Sequence, residues 1–459
     1  MPVDFPRRLF LGSGLALGAG ALPGLARASE PSARALRAVS ARHSLVGENY
    51  PQTEVWGYEG KIPGPVLRYR QGERLRIAFE NQLPDPSTLH FHGIRLPNAM
   101  DGVPYLTQAP VKPGEKFLYE FDLPDAGTFW YHPHLGSSEQ MARGLSGALI
   151  VQEHSPPPVD GDLLWVLSDW RLDRDAQIVP NFGNFMDASH AGRIGNTVTV
   201  NGSLPESVDV TPGHRLRLRL VNASNARIYG LNFRGHDPVV IAYDGHPVAP
   251  HRPEGGRIVL GPAMRADLIL DLSAEPGRSY PVVDDYYPRL AYRLLDLRYA
   301  KTARTGRAGS TIQPLAPNPV AEPVMELAQR HRIVFGGGMM GQMPSRESGA
   351  RMAWTVNGQP VPEHDAKPLV SIAQGRTALI ELVNDTMWPH PIHLHGHVFR
   401  VVSRNGGPTA HREWRDTVLL EARQRAEIAF VADNPGAWML HCHVLEHQAT
   451  GMMGMIEVG

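Results

Sequence analysis

His441-Cys442-His443, followed by His447 and Met452, contains the only cysteine of a 459-residue chain. Thiolate, imidazole and thioether donors in that combination are the ligands of a blue-copper electron-transfer centre: two His, one Cys and a weak axial Met. On an extended strand successive side chains point to opposite faces. The triplet therefore directs Cys442 to one site and His441 and His443 to another, on the far side of the backbone. A lone triplet is equally compatible with a buried free thiol beside surface histidines. Three further clusters tip the balance: His90-Phe91-His92-Gly93, His132-Pro133-His134, and His390-Pro391-Ile392-His393-Leu394-His395. Each holds a His-x-His pair whose period of two puts both rings on one strand face. Structural zinc recruits cysteines in pairs and catalytic zinc needs three ligands. Imidazole-rich, carboxylate-poor clusters suit copper better.

An internal repeat positions these clusters. Gly72–Asn81, Gly213–Asn222 and Gly375–Asn384 each open on a turn glycine, alternate apolar residues and close on an asparagine. Such alternation predicts a half-buried strand of an antiparallel sheet. Nine residues beyond the asparagine stand His90 in the first copy, Leu231 in the second and His393 in the third. Five residues beyond Gly127, Gly277 and Gly436 stand His132, Val282 and His441. Copies one and three carry equivalent donors and copy two carries none, which places a shared cluster between the first and third modules. Modules of this size, with short strands and 46 Gly and 41 Pro for turns, point to an all-β chain of three Greek-key β-sandwiches. Segments 154–162, containing Pro156-Pro157-Pro158, and 301–323 read as linkers, the second as an exposed and partly mobile connection.

Over essentially its whole length after the leader, the chain resembles the bacterial multicopper oxidases, the laccase-like and cuprous-oxidase group. The motifs HxHG, HxH, HPxHLH and HCHxxxHxxxxM stand in the family's order. The resemblance implies cupredoxin-like domains at 29–153, 160–300 and 324–459, the second without copper ligands, and four copper ions. A type 1 copper would take His390, Cys442 and His447 with Met452 axial, the five-residue step from His447 favouring Met452 over Met453. A type 2 copper would take His90 and His393, and a type 3 pair His92, His132, His134, His395, His441 and His443. His397 matches no family ligand and reads as structural. The implied reaction draws electrons singly from a reducing substrate, passes them through Cys442 to His441 and His443, and reduces dioxygen to water. Asp101 matches the family's acidic residue that holds water near the cluster, although an Asp-Gly pair is also a plain turn. Related cuprous oxidases carry Glu directly after the last type 1 histidine; here that position is Gln448, with Glu446 nearby but on another face if the segment is helical.

Arg7-Arg8 precede an apolar stretch from Gly12 to Leu25, and Ala26-Arg27-Ala28 resembles a signal-peptidase site. Residues 1–28 thus read as a twin-arginine export leader addressing the periplasm. The apolar run is short for a membrane span, and no other segment is a candidate. Without the leader the net charge moves from −1 to −3, which gives no reason to expect nucleic acid as a partner. A single cysteine forms no intrachain disulfide and stays free for metal. A monomer is expected.

Substrate choice is marked by methionine. Nine of the 15 methionines lie between Met339 and Met455, and Met339, Met340 and Met343 share a Gly-rich segment. Thioethers select Cu(I), so a cuprous-ion docking loop is expected there, with phenol oxidation as the other substrate class. Met352, Met387 and Met439 read as core packing. Two other functions share parts of this pattern. A copper-free structural factor of cell division has no use for the complete ligand set. A copper nitrite reductase has two such domains and no cluster of His-x-His pairs within one chain.

Overall fold

Six sheets, two per module, form the framework of the computed structural model, which describes residues 33–339, 352–361 and 368–459. The leader, Met340 and Met343 lie outside the described residues. In the first module Thr53–Tyr58, Arg34–His43, Arg74–Asn81 and Lys116–Asp122 form one sheet. Gly64–Arg70, Gly147–Gln152, Gly127–His132 and His90–His92 form the other. Leu75, Ile77 and Phe79 of the first sheet are buried in one apolar core with Leu67, Phe91 and Tyr131 of the second. Burying each such side chain stabilises by about 1.5–3 kcal/mol. The middle module stacks a six-stranded sheet on a five-stranded one, and the third a seven-stranded sheet on a five-stranded one. The chain is all-β in three cupredoxin-like sandwiches. No described helix is long and apolar enough to cross a membrane.

The repeated segment forms the strand Arg74–Asn81, Arg215–Asn222 or Thr377–Asn384 in its module. The first alternates buried and less buried residues as its pattern predicts. The second does not: all eight residues are buried, including Arg215, Arg217 and Arg219. The polar face that alternation assigns to solvent instead meets other protein. Arg217 pairs with Asp267 and with Glu153 of the first module's end, and Arg219 with Asp267 and Asp162. Thr128 of the first module donates to Asp267. The buried guanidiniums are tolerated because each is paired and hydrogen-bonded.

The closing asparagine does the same work three times. Asn81 Nδ2 donates to the carbonyls of Asp85 and Val111 while its Oδ1 accepts from Leu83 N–H. Asn222 bonds Arg227, Leu260 and Ser224 in the same way. Asn384 bonds Trp388, Leu420, Glu421 and Thr386. Each asparagine thus ties down the loop leaving its strand, in the second and third modules to the opposite sheet through Leu260 and Leu420, which sets where the next strand begins. Those next strands carry the chemistry. His90 pairs with His132, and His393 with His441, each across an antiparallel ladder. In the middle module the register differs by two residues, Leu231 facing Asp284 and Val282 facing Phe233.

The connection at 301–323 has no strand, and its first part is exposed, but it is not free throughout. Leu315 is buried, and Asn318 exchanges hydrogen bonds with the backbone of Ala126.

Replacing Asn222 by Ala should lower stability by about 1–3 kcal/mol, the cost of leaving buried carbonyls unpaired, while the visible spectrum of copper-loaded protein stays unchanged. Asn384→Ala should cost a similar amount and also disturb the blue absorption, because Asn384 holds Thr386 beside His390. Denaturant titration and absorption spectra of the two variants check the difference.

Candidate metal centre

Two adjacent strands of the third module and the short helix after them assemble the first site. Cys442 ends the strand Gly436–Cys442, His390 opens the strand His390–Leu394, and His447 lies in the short helix Leu445–Ala449. Cys442 Sγ is 3.5 Å from His390 Nδ1 and 3.7 Å from His447 Nδ1, and the two Nδ1 atoms are 3.1 Å apart. The far ring nitrogens are occupied: His390 Nε2 lies 2.8 Å from Thr386 Oγ1, and His447 Nε2 donates to the His190 carbonyl at 2.7 Å. Trp354 packs its ring 4.2 Å from that of His447. Met452 is buried in the same core as Cys442, whereas Met453 packs with Val103 and Met439.

The other eight histidines converge from the first and third modules. His92, His132 and His443 bring nitrogens within 4.8 Å of one another, and so do His134, His395 and His441. His90 and His393 complete the group, each ring stacked on a ring of the other module: His90 on His395 at 4.1 Å and His393 on His92 at 3.7 Å. Hydrogen bonds fix which nitrogen faces inward. His90 Nδ1 donates to the Asp101 carbonyl, His132 Nδ1 to Pro133, His393 Nδ1 to Asp416 and His441 Nδ1 to Cys442. The Nε2 atoms of His90, His132 and His393 are then buried with no partner. His395 Nε2 and His441 Nε2 face each other at 3.1 Å. His92 is reversed: its Nε2 is 3.0 Å from Asp416 Oδ1, and its Nδ1 is the unpartnered atom. Buried lone pairs left unpaired are costly, and here they point at one another. A cation satisfies them.

Burial is also the leading reason these rings stay neutral. It holds the pKa of His441 and His447 at about 3 and those of His92, His132, His134, His390, His395 and His443 well below 6.5. For the cluster rings, repulsion from neighbouring imidazoles acts in the same direction. Burial pushes the Cys442 thiol up, so a bound cation must displace its proton. Neutral imidazoles with one thiolate are donors for copper.

Profiles of the multicopper oxidase family match residues 41–156, 161–296 and 339–459. Multicopper oxidase MmcO of Mycobacterium tuberculosis is 31% identical, the alignment covering 99% of this chain and 96% of that protein. The crystal structure of a multicopper oxidase from Pseudomonas thermotolerans superposes with a TM-score of 0.84 at 37% identity, covering 93% of this chain and 99% of that one. A Campylobacter jejuni multicopper oxidase, described as a metallo-oxidase, gives a TM-score of 0.77 at 25% identity over 92% of this chain and 90% of its own. The chain belongs to the multicopper oxidase family. The family is oxidoreductase, binds copper, and couples oxidation of a reducing substrate to reduction of dioxygen.

Two carboxylates of this multicopper oxidase hold the cluster rings, and the sequence pointed to only one. Asp101 is both a turn residue and a site residue. It ends the turn Asn98–Met100, and its Oδ2 accepts from His395 Nδ1 at 2.9 Å with Oδ1 3.3 Å from His90 Nδ1. Gly102 follows because a Cβ there would sit 2.0 Å from the Leu89 carbonyl. Asp416 escaped sequence reading. It is buried beside His92 and His393, with Arg265 and Thr417 on the same carboxylate, and these charges hold it well below the usual carboxylate range against the cost of burial. The visible clue was a charged pair, Arg415-Asp416, directly before the strand Thr417–Leu420. His397 stands apart from the cluster, packed against Phe430 and Trp438. Glu446 is buried on the helix, accepting from Arg193 N–H and Asn225, and Gln448 is buried too.

These pKa shifts set a pH dependence. A ring neutral in the fold but protonated when unfolded makes the unfolded state bind more protons, so stability falls as pH drops below 6.5. Asp244, pushed up to about 6, and Glu446, also pushed up, act in the opposite sense, but the histidines outnumber them. The metal-free protein should therefore melt at lower temperature at pH 5 than at pH 7. A melting temperature at pH 5 equal to or above that at pH 7 contradicts the neutral burial of the rings.

Proposed function

We propose that the chain holds four copper ions and oxidises cuprous ion, with dioxygen as the acceptor, in the periplasm to which its Arg7-Arg8 leader addresses it. His390, Cys442, His447 and Met452 would hold one ion, His90 and His393 one, and the His92–His132–His443 and His134–His395–His441 sets a pair. Copper in these sets supplies one-electron redox chemistry and the reduction of dioxygen to water. The residues do the rest. Cys442 is joined through one peptide unit on each side to His441 and His443, so the two sites share a continuous stretch of backbone. Asp101 orients His395 and His90, and its Oδ1, which has no hydrogen-bond partner, is available to hold a proton beside the cluster.

The observation that carries the substrate is the cover of the type 1 set. His390, Cys442 and His447 are all fully buried, and both outer ring nitrogens are taken by protein. A substrate therefore docks on the covering segments, not on an imidazole edge. Those segments carry the three exposed methionines of the described residues, Met186, Met339 and Met387. The Met186 carbonyl accepts from His190 Nδ1, Met339 N–H donates to Ser189, and Met387 stands between Thr386 and Trp388, whose ring meets His190 at 5.3 Å. Exposure of Met387 corrects the core-packing expectation; Met439 alone of the three is fully buried, and Met352 is half-buried. Soft thioethers around the type 1 cover suit Cu(I).

Changing Met186, Met339 and Met387 together to Leu should raise KM for Cu(I) by about tenfold or more, or roughly 1.4 kcal/mol of docking, while turnover of a phenol is unchanged. Unaltered cuprous kinetics overturn the substrate. Cys442→Ser should abolish blue colour and oxidation of either substrate while the far-ultraviolet dichroism stays that of the parent. Retained turnover there overturns the type 1 assignment.

A further inference from the structure

The middle module contributes no histidine to the cluster, yet it reaches it. Arg265, on the strand Arg265–Asp271 of that module, is fully buried and forks both guanidinium ends onto Asp416 of the third module, at 2.8 and 2.5 Å. The same guanidinium donates to the Thr128 carbonyl of the first module and to the Asp244 carbonyl of its own. Asp416 in turn accepts from His92 Nε2 through its carboxylate and from His393 Nδ1 through its carbonyl. One ion pair thus spans three modules and orients one ring from each of two.

A second observation points to the same contact. Gly93 closes the first histidine motif with φ of +84°, and a Cβ there would lie 2.3 Å from Asp416 Oδ2 and 2.4 Å from Arg265 Nη2. Both the backbone conformation and the space demand glycine. The glycine of the HxHG motif makes room for the ion pair, not for a ligand.

We propose that Arg265 is a positioning residue for the copper cluster: through Asp416 it fixes the reversed orientation of His92, so the module without ligands determines whether the cluster fills. A bidentate fork is what Arg supplies and Lys does not. With the fork lost, Asp416 can turn, and His92 is no longer held with Nδ1 inward. The inference rests on the copper assignment above.

The test compares copper-loaded parent protein with Arg265→Lys, Gly93→Ala and the control Arg215→Lys, which breaks a buried fork to Asp271 in the same module away from the cluster. Copper per chain, the blue band, the near-ultraviolet band of the coupled pair and the type 2 electron paramagnetic resonance signal are measured with the melting temperature. Arg265→Lys and Gly93→Ala should keep the blue band and lose at least half of the remaining copper, with an altered type 2 signal. Arg215→Lys should lower the melting temperature alone. If Arg265→Lys does not accumulate, Gly93→Ala, which retains both charges, decides the matter. Full copper and a parental type 2 signal in Arg265→Lys or Gly93→Ala overturn the proposal, as does equal copper loss in Arg215→Lys. A parent protein that fills only the type 1 set overturns the copper assignment instead.

Discussion

Ten imidazoles are buried in this protein with a nitrogen lone pair turned toward other lone pairs, and the remaining structure answers that constraint. Unpaired buried nitrogen is costly, and protonation is suppressed by burial. The fold therefore spends a second hydrogen bond on most of these rings, from backbone carbonyl, carboxylate or hydroxyl, to fix the tautomer and aim the free nitrogen. In the His390–Cys442–His447 set the aimed atom is Nδ1, because Thr386 and His190 hold the Nε2 atoms. In the cluster it is Nε2 wherever a carbonyl holds Nδ1, and Nδ1 in His92, because Asp416 lies on the other side of that ring, whereas neither nitrogen of His134 or His443 has a hydrogen-bond partner. Outer partners that orient metal-binding histidines tune affinity as much as the donors do.

The ladder geometry explains why two sites form so close together. Ile392 pairs with Cys442 and His393 with His441, so alternate residues of two adjacent strands serve opposite faces. One strand thus delivers a thiol to the core of its own sandwich and imidazoles to the junction with the first module. The junction is charged as well as apolar. Arg217 and Arg265 of the middle module are buried in ion pairs that reach neighbouring modules, and buried Arg219 donates to Thr128 of the first module; removing one partner of such a pair strands a buried charge.

Much of this was legible in the sequence, for definite reasons. Strand alternation converts His-x-His and His-Cys-His into faces without reference to any other part of the chain. The Gly-to-Asn repeat encodes a local loop anchor, so its spacing survives in all three modules. What escaped was set by contacts between modules. Asp416 and Arg265 are 151 residues apart, and neither sits in a motif. The burial of Arg215, Arg217 and Arg219 contradicts alternation because the 301–323 connection and the first module, and not water, cover that face. The exposure of Met387 likewise depends on where the middle module's segment at Met186–His190 ends. Pattern reads one element at a time, and these features belong to pairs.

The central claim is that eight of the ten rings are held with one named nitrogen toward copper. A crystal structure of the copper-loaded protein, with anomalous scattering at the copper edge, tests it directly. The account predicts one peak against His390 Nδ1, His447 Nδ1 and Cys442 Sγ, and three in the eight-histidine junction. Those three should be bound through Nε2 of His90, His132, His393, His395 and His441 and through Nδ1 of His92. Peaks elsewhere, or His92 bound through Nε2 with Asp416 displaced, would contradict it.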